Sequence, residues 1–110
     1  MDKIFEQSLL YDFYAELLTE HQKRIYEDAV FHDMSLSEIA EEAGISRQGV
    51  HDLLKRCDKI LLDYESKRHL VERFSKAKAT VLEMVKLTEN MEEDNLAKLR
   101  QLGNQLLEEL

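Results

Sequence analysis

The chain has 110 residues, of which 44% are hydrophobic and 35% charged, with three glycines, no proline and a formal net charge of −8. The absence of proline and the wealth of Leu, Glu, Lys and Ala exclude a turn-rich β architecture and predict an all-α protein, one domain with a helical extension. The acidic balance excludes a protein that coats nucleic acid indiscriminately, and no apolar run approaches the length needed to cross a membrane.

In chain order, a first helix is predicted from about Ile4 to Leu18, with Leu9, Leu10, Phe13, Tyr14 and Leu17 recurring on one face and Phe5 and Tyr11 broadening it. Thr19 and Gln22 have the spacing of a capping box, which opens a second helix through about Phe31 with Ile25, Tyr26, Ala29 and Val30 inward. HDMS then breaks the chain. Ser35 with Glu38 forms another box, and Met34 is placed to pack on Ile39 as a staple.

Residues 36–55, LSEIAEEAGISRQGVHDLLK, carry the most informative pattern. Ile39, Ala40 and Ala43 share a face, Gly44 suits a left-handed turn, Ile45 plugs the gap, and Val50, Leu53 and Leu54 form the apolar face of a following helix capped by Ser46. The small Ala40 side chain lets two helices meet closely. This is a helix-turn-helix, whose docking geometry presents the first turns of its second helix to a DNA major groove. The candidate nucleic-acid contacts are Ser46, Arg47, Gln48, His51, Asp52, Lys55 and Arg56. Arg47 and Lys55 suit guanine edges or phosphate, Gln48 suits adenine, Ser46 suits phosphate, and Asp52 repels phosphate but accepts from cytosine. The competing reading is a packing or protein-interaction unit with a plain exposed His51, since fold does not fix function.

The apolar positions 50, 53, 54, 57, 60, 61 and 64 carry the second motif helix several turns further, to an expected bend near residues 65–67. Cys57 on that face predicts a buried thiol in a reducing compartment. Leu70, Val71, Phe74, Ala77, Val81, Leu82 and Val85 define another helix, and after TENMEEDN a last one bears the stripe Leu96, Leu99, Leu102, Leu106 and Leu110, weakened at Gly103. The stripe either folds back on the preceding helix or pairs with a second subunit as a homodimer. The domain expectation is a helical domain over 1–66 with 67–110 packed on it.

Charge is unevenly spread. Residues 1–44 hold 11 acids and 3 bases, 45–78 hold 5 acids and 9 bases, and 79–110 hold 7 acids and 3 bases. The basic block starts at the motif helix, and Lys59, Lys67, Arg68, Arg73, Lys76 and Lys78 are either a secondary basic surface or a solvated helix face. His21, His32, His51 and His69 lack metal-ligand spacing, and no phosphate loop or catalytic motif is present, so the expectation is a non-enzymatic protein without metal or cofactor.

The run LTEHQKRIYEDAVFHDMSLSEIAEEAGISRQGVHDLLKRCDKIL resembles region 4 of the primary sigma factors, a winged-helix-like class of DNA reader. With LLYDFYAELLTEHQKRI before it, residues 7–75 resemble the YlxM family of small bacterial helix-turn-helix proteins more closely still. The resemblance implies a small cytoplasmic protein, either a DNA-binding regulator or an accessory of the signal recognition particle that engages its protein or RNA. The chain lacks the other regions of a sigma factor.

Overall fold

A computed structural model describes residues 2–109, and among them six α-helices and no strand occur. The helices are α1 (Lys3–Tyr14), α2 (Glu20–Val30), α3 (Leu36–Ala43), α4 (Arg47–Arg68), α5 (Leu70–Leu87) and α6 (Glu93–Glu109), with a 3-10 turn at Ala15–Leu17. The chain divides into two compact units, Met1–His69 and Leu70–Leu110.

In the first unit, both capping boxes form as the spacing requires. The Gln22 backbone N–H donates to the Thr19 hydroxyl at 3.1 Å while the Thr19 N–H donates to Gln22 Oε1 at 2.9 Å. Ser35 and Glu38 repeat this at 3.1 Å in both directions, and these hydrogen bonds hold the Glu38 carboxyl below its usual range. Gly44 takes the left-handed conformation, φ 71° and ψ 29°, which turns the chain out of α3 without the Cβ penalty another residue would meet. Ser46 caps α4 by accepting from the Gly49 N–H at 2.9 Å. A Cβ at Gly49 would lie 3.1 Å from that same hydroxyl.

Three of these helices converge on one core. Ile25, Ile39, Ala40 and Val50 are buried together, with Ala29, Met34, Leu36, Ala43, Ile45, Leu53 and Leu54 packed around them. Met34 and Ile45 thus occupy the staple and plug positions their spacing predicts. Ala40, at the α3–α4 contact, is 9% exposed. Further along α4, Cys57 and Leu61 are fully buried, and Leu10, Tyr14 and Leu18 are buried from the N-terminal segment. Burial pushes the Cys57 thiol up to about 11, with the nearby Asp58 charge adding to the effect.

The N-terminal helix differs from its expected course. It leaves the α conformation at Tyr14 instead of continuing to Leu18, and the tighter 3-10 turn rotates the following side chains off the apolar stripe. Leu17 is therefore 40% exposed, and Phe13, still within α1 but at the edge of the buried row set by Leu10 and Tyr14, is 39% exposed, although both were expected inward. Tyr14 is buried as expected, and Leu18 is buried as well. The expected bend near residues 65–67 is a full break: α4 runs to Arg68, and His69 closes it in the left-handed conformation at φ 57°.

Polar pairs tie this unit together over long sequence separations. The Tyr26 hydroxyl donates to Asp58 Oδ1 at 2.7 Å, and Gln7 Nε2 donates to both oxygens of the same carboxylate at 3.0 and 3.1 Å. Tyr11 donates to Glu27 Oε2 at 2.6 Å and stacks on the Tyr26 ring, centroids 5.6 Å apart. Tyr14 donates to Glu65 Oε1 at 2.5 Å and meets the Tyr64 ring edge-on. Burial and the adjoining carboxylates raise the hydroxyl pKa values of Tyr11 and Tyr26, so each remains a donor.

The second unit is a helical hairpin. α6 folds back on α5, with Gly103 lying 3.8 Å, by its would-be Cβ, from the terminal carbon of Met84. Asn95 Nδ2 donates to the carbonyls of Leu87 and Asn90, fixing the turn. The leucine stripe accordingly faces inward through Leu99, Leu102 and Leu106, each half-buried; Leu110 lies outside the described residues.

Candidate nucleic-acid interface

The cap hydrogen bond at Ser46 sets where α4 begins, and the burial of Val50, Leu53 and Leu54 sets which way it faces. One helical turn contains 3.6 residues, so the side chains of Gln48, Asp52, Lys55 and Lys59 lie on the face opposite that core row, with Arg47 and His51 on one flank and Arg56 on the other. Ser46, Arg47, Gln48, Asp52, Lys55, Arg56 and Lys59 are all exposed, and His51 is half-buried. The motif thus places the contact residues expected from the sequence along the solvent side of α4, Arg47 and His51 on the edge nearer the core and Arg56 on the other edge. A shallow depression joins Leu36 at the start of α3 to Arg47, Gln48 and His51.

The charges on this face are not equivalent. Arg47, Lys55, Arg56 and Lys59 make no ion pair among the described residues, so their cations are available to an external anion. Gln48 Nε2 instead donates to Asp52 Oδ1 at 2.9 Å, across one helical turn. The amide is held by the carboxylate, and its carbonyl oxygen is not used in that bond. His51 turns Nδ1 inward, where it has no hydrogen-bond partner, with Asp52 Oδ1 3.6 Å away. Its other ring nitrogen is left as the outward polar atom.

Two residues absent from the sequence expectation border this surface. A groove of about 280 Å³ is lined by Lys3 and Gln7 of α1, Ala29 and Val30 of α2, and His51, Leu54, Lys55 and Asp58 of α4. Lys3 adds a cationic side chain to the groove that Lys55 also lines, while Gln7 is committed to Asp58. No local signal in the sequence brings residues 3 and 55 to one groove; the packing of α1 on α4 does so.

Among the remaining basic candidates, Arg68 lies over the Tyr64 ring, 5.7 Å from its centroid. Lys76 pairs with Glu72 at 3.3 Å, the ordinary i, i+4 contact of a solvated helix. Lys67, Arg73 and Lys78 are exposed. Among the described residues no group of three His, Cys, Asp or Glu side chains is placed to hold a metal ion, and no helix is long and apolar enough to cross a membrane.

Comparison with known proteins adds to this geometry. Residues 1–102 match the model of a family described as "Putative helix-turn-helix protein, YlxM / p13 like". A UPF0122 protein of Desulforamulus reducens is 40% identical over 92 residues, which span 84% of this chain and 79% of the relative. UPF0122 proteins of Clostridium novyi and Acetivibrio thermocellus are 42% and 46% identical, over 77% and 78% of this chain and 76% and 74% of their own lengths.

Proposed function

The chain belongs to the YlxM/p13-like helix-turn-helix family, and on that premise we propose that it is a non-enzymatic regulatory protein that reads duplex DNA through the first turns of α4, in the manner of sigma region 4. The single observation that carries the reading is the exposed face of α4, where Arg47 and Lys55 lie without ion pairs among the described residues on a helix whose start is fixed by a cap. Arg47 and Lys55 supply donors for guanine edges or phosphates, Ser46 supplies a hydroxyl for phosphate, and the Asp52-held Gln48 supplies an oriented acceptor. Such pre-orientation reduces the side-chain entropy lost on binding. The acidic residues elsewhere weaken attraction to arbitrary DNA, so the contacts on α4 weigh more in choosing a site.

Asp52 favours a second reading. A carboxylate in the middle of the contact face repels the phosphates of any nucleic acid laid on it, and an accessory of the signal recognition particle that keeps the motif as scaffold, and engages the particle's protein, or its RNA through the basic segment 67–78, would accommodate that charge. Replacing Arg47 and Lys55 together by Ala tests the choice. DNA reading predicts at least about tenfold weaker binding to a duplex site selected by the wild-type protein, from two lost contacts of roughly 1–3 kcal/mol each at most, with an unchanged helical circular dichroism spectrum. Unchanged affinity for that duplex rejects α4 as the reader and favours the accessory role.

A further inference from the structure

The groove of about 280 Å³ between α1, α2 and α4 and the depression at the start of α3 share one residue, His51. On α4 the groove is lined by His51, Leu54, Lys55 and Asp58, which follow at i, i+3, i+4 and i+7 and so form a single row along the helix. Helical rotation puts that row toward the flank that carries Arg47 and His51, and α1 stands beside α4 there, bringing Lys3 and Gln7 to the groove. The groove therefore adjoins the contact face of α4 and shares Lys55 with it.

Charge identifies what the groove takes. Lys3, like Lys55, makes no ion pair among the described residues, so two ammonium groups line the groove with no internal counter-charge. The one acid in the lining is Asp58, and its carboxylate already accepts from Gln7 Nε2 at 3.0 and 3.1 Å and from the Tyr26 hydroxyl at 2.7 Å. Asp52, whose charge repels phosphate at the centre of the contact face, lies about a third of a turn round α4 from the row that lines the groove. The groove is thus the part of this surface best fitted to an external anion.

A helix with its side chains is about 10–12 Å across and the DNA major groove about 12 Å wide, so the central row of a docked helix meets base edges and its flanks meet the sugar–phosphate walls. On the flank of α4 that carries Arg47 and His51, the wall runs past α1 as well. We propose that the groove seats a backbone phosphate of one DNA strand between Lys3 and Lys55, and that Lys3 is a positioning contact that strengthens binding without reading sequence. The proposal rests on the reading of duplex DNA by α4. It adds α1 as a second element that grips the backbone and fixes how α4 is turned within the groove.

Titration of the full chain against a selected and a scrambled duplex at several salt concentrations tests it, with Lys3→Ala as the variant. Lys3 is exposed, so the helical circular dichroism spectrum should be unchanged. The variant should bind both duplexes about threefold more weakly at low salt, with an unchanged ratio between them and a log–log salt slope flatter by about 0.9, while Lys3→Arg keeps the wild-type slope. A series of selected duplexes, each with one phosphate replaced by an uncharged methylphosphonate, separates direct contact from net charge. One such replacement should weaken the wild type and leave Lys3→Ala unaffected. Equal salt slopes, or the same sensitivity of both proteins at every phosphate, overturn the proposal and leave α4 as the reader. Loss of affinity for an RNA hairpin with none for the DNA duplex overturns it and assigns the groove to RNA. A wild type that prefers no duplex overturns the reading of α4 and this proposal together.

Discussion

The two units of this chain use similar residues to different ends. In Met1–His69 the apolar faces of α2, α3 and α4 converge, and Tyr26, Ile25, Ile39, Val50, Cys57 and Leu61 lose nearly all contact with solvent. In Leu70–Leu110 two helices face each other along one row, Val71 is the one described residue classed as buried, and valines and leucines elsewhere on the helices stay open to water. The lesson is geometric: a helix gripped from several directions hides a broad apolar face, whereas each helix of a hairpin hides one narrow row. The first unit can therefore hold an exposed polar face rigidly, and the second has apolar surface left for another molecule.

The sharpest way to break this contrast is to delete equal volumes from the two units. Leu61→Ala removes a fully buried side chain of α4 and should cost about 2–5 kcal/mol in chemical denaturation. Leu106→Ala, at a half-buried position of α6, should cost under about 2 kcal/mol, since less area returns to water. Equal losses would mean that the hairpin is as tightly packed as the helix-turn-helix unit.

Adding volume probes the same core from the other side. Ala40→Leu forces three further carbons into the α3–α4 contact and should destabilise by about 1–3 kcal/mol in thermal or chemical unfolding. A neutral result would show that the two motif helices have room to move apart.

Tyr26→Phe addresses the polar side of the first unit. It leaves ring packing in place and removes one of the hydrogen bonds to Asp58, for an expected loss of about 1–3 kcal/mol. If stability is unchanged, Gln7 and water satisfy the carboxylate without the tyrosine.

A smaller effect appears in alkali. The thiol of Cys57 is raised from its ordinary value near 9 to about 11, so the unfolded chain releases this proton before the folded one does. Its contribution to stability is therefore complete below pH 9 and is lost as pH rises toward 11. Cys57→Ala should flatten that part of the pH–stability profile, measured by urea unfolding at successive pH values.

These differences also mark what the sequence could disclose. Capping boxes, the left-handed Gly44 and the Ser46 cap were legible because each depends on residues within a few positions of one another. The exposed row of α4 was legible for a related reason: a helix whose apolar face is known has its polar face determined. Leu17 was misplaced because period counting assumes an unbroken α-helix, and the chain tightens into a 3-10 turn after Tyr14, while Phe13 was misplaced because the buried row of α1 is narrower than its apolar stripe and runs through Leu10 and Tyr14. The bonds of Tyr26 to Asp58 and Tyr14 to Glu65 link residues 32 and 51 positions apart, and periodicity shows which way a side chain points without naming what it meets. Lys3 was missed at the candidate interface on the same ground, since it joins the groove lined by Lys55 through tertiary packing alone.

The most direct test of the central claim compares two triple variants. Arg47, His51 and Lys55 are replaced by Ala in one, and Arg68, Arg73 and Lys76 in the other, and each is titrated at two salt concentrations against a selected DNA duplex and signal recognition particle RNA. The account predicts that the α4 variant loses discrimination between the selected and a scrambled duplex, while the second variant keeps discrimination and at most flattens the salt dependence, by up to about 0.9 in log–log slope for each lost phosphate contact. Undiminished discrimination in the α4 variant, or a wild-type protein that binds neither polymer at low salt, would contradict it.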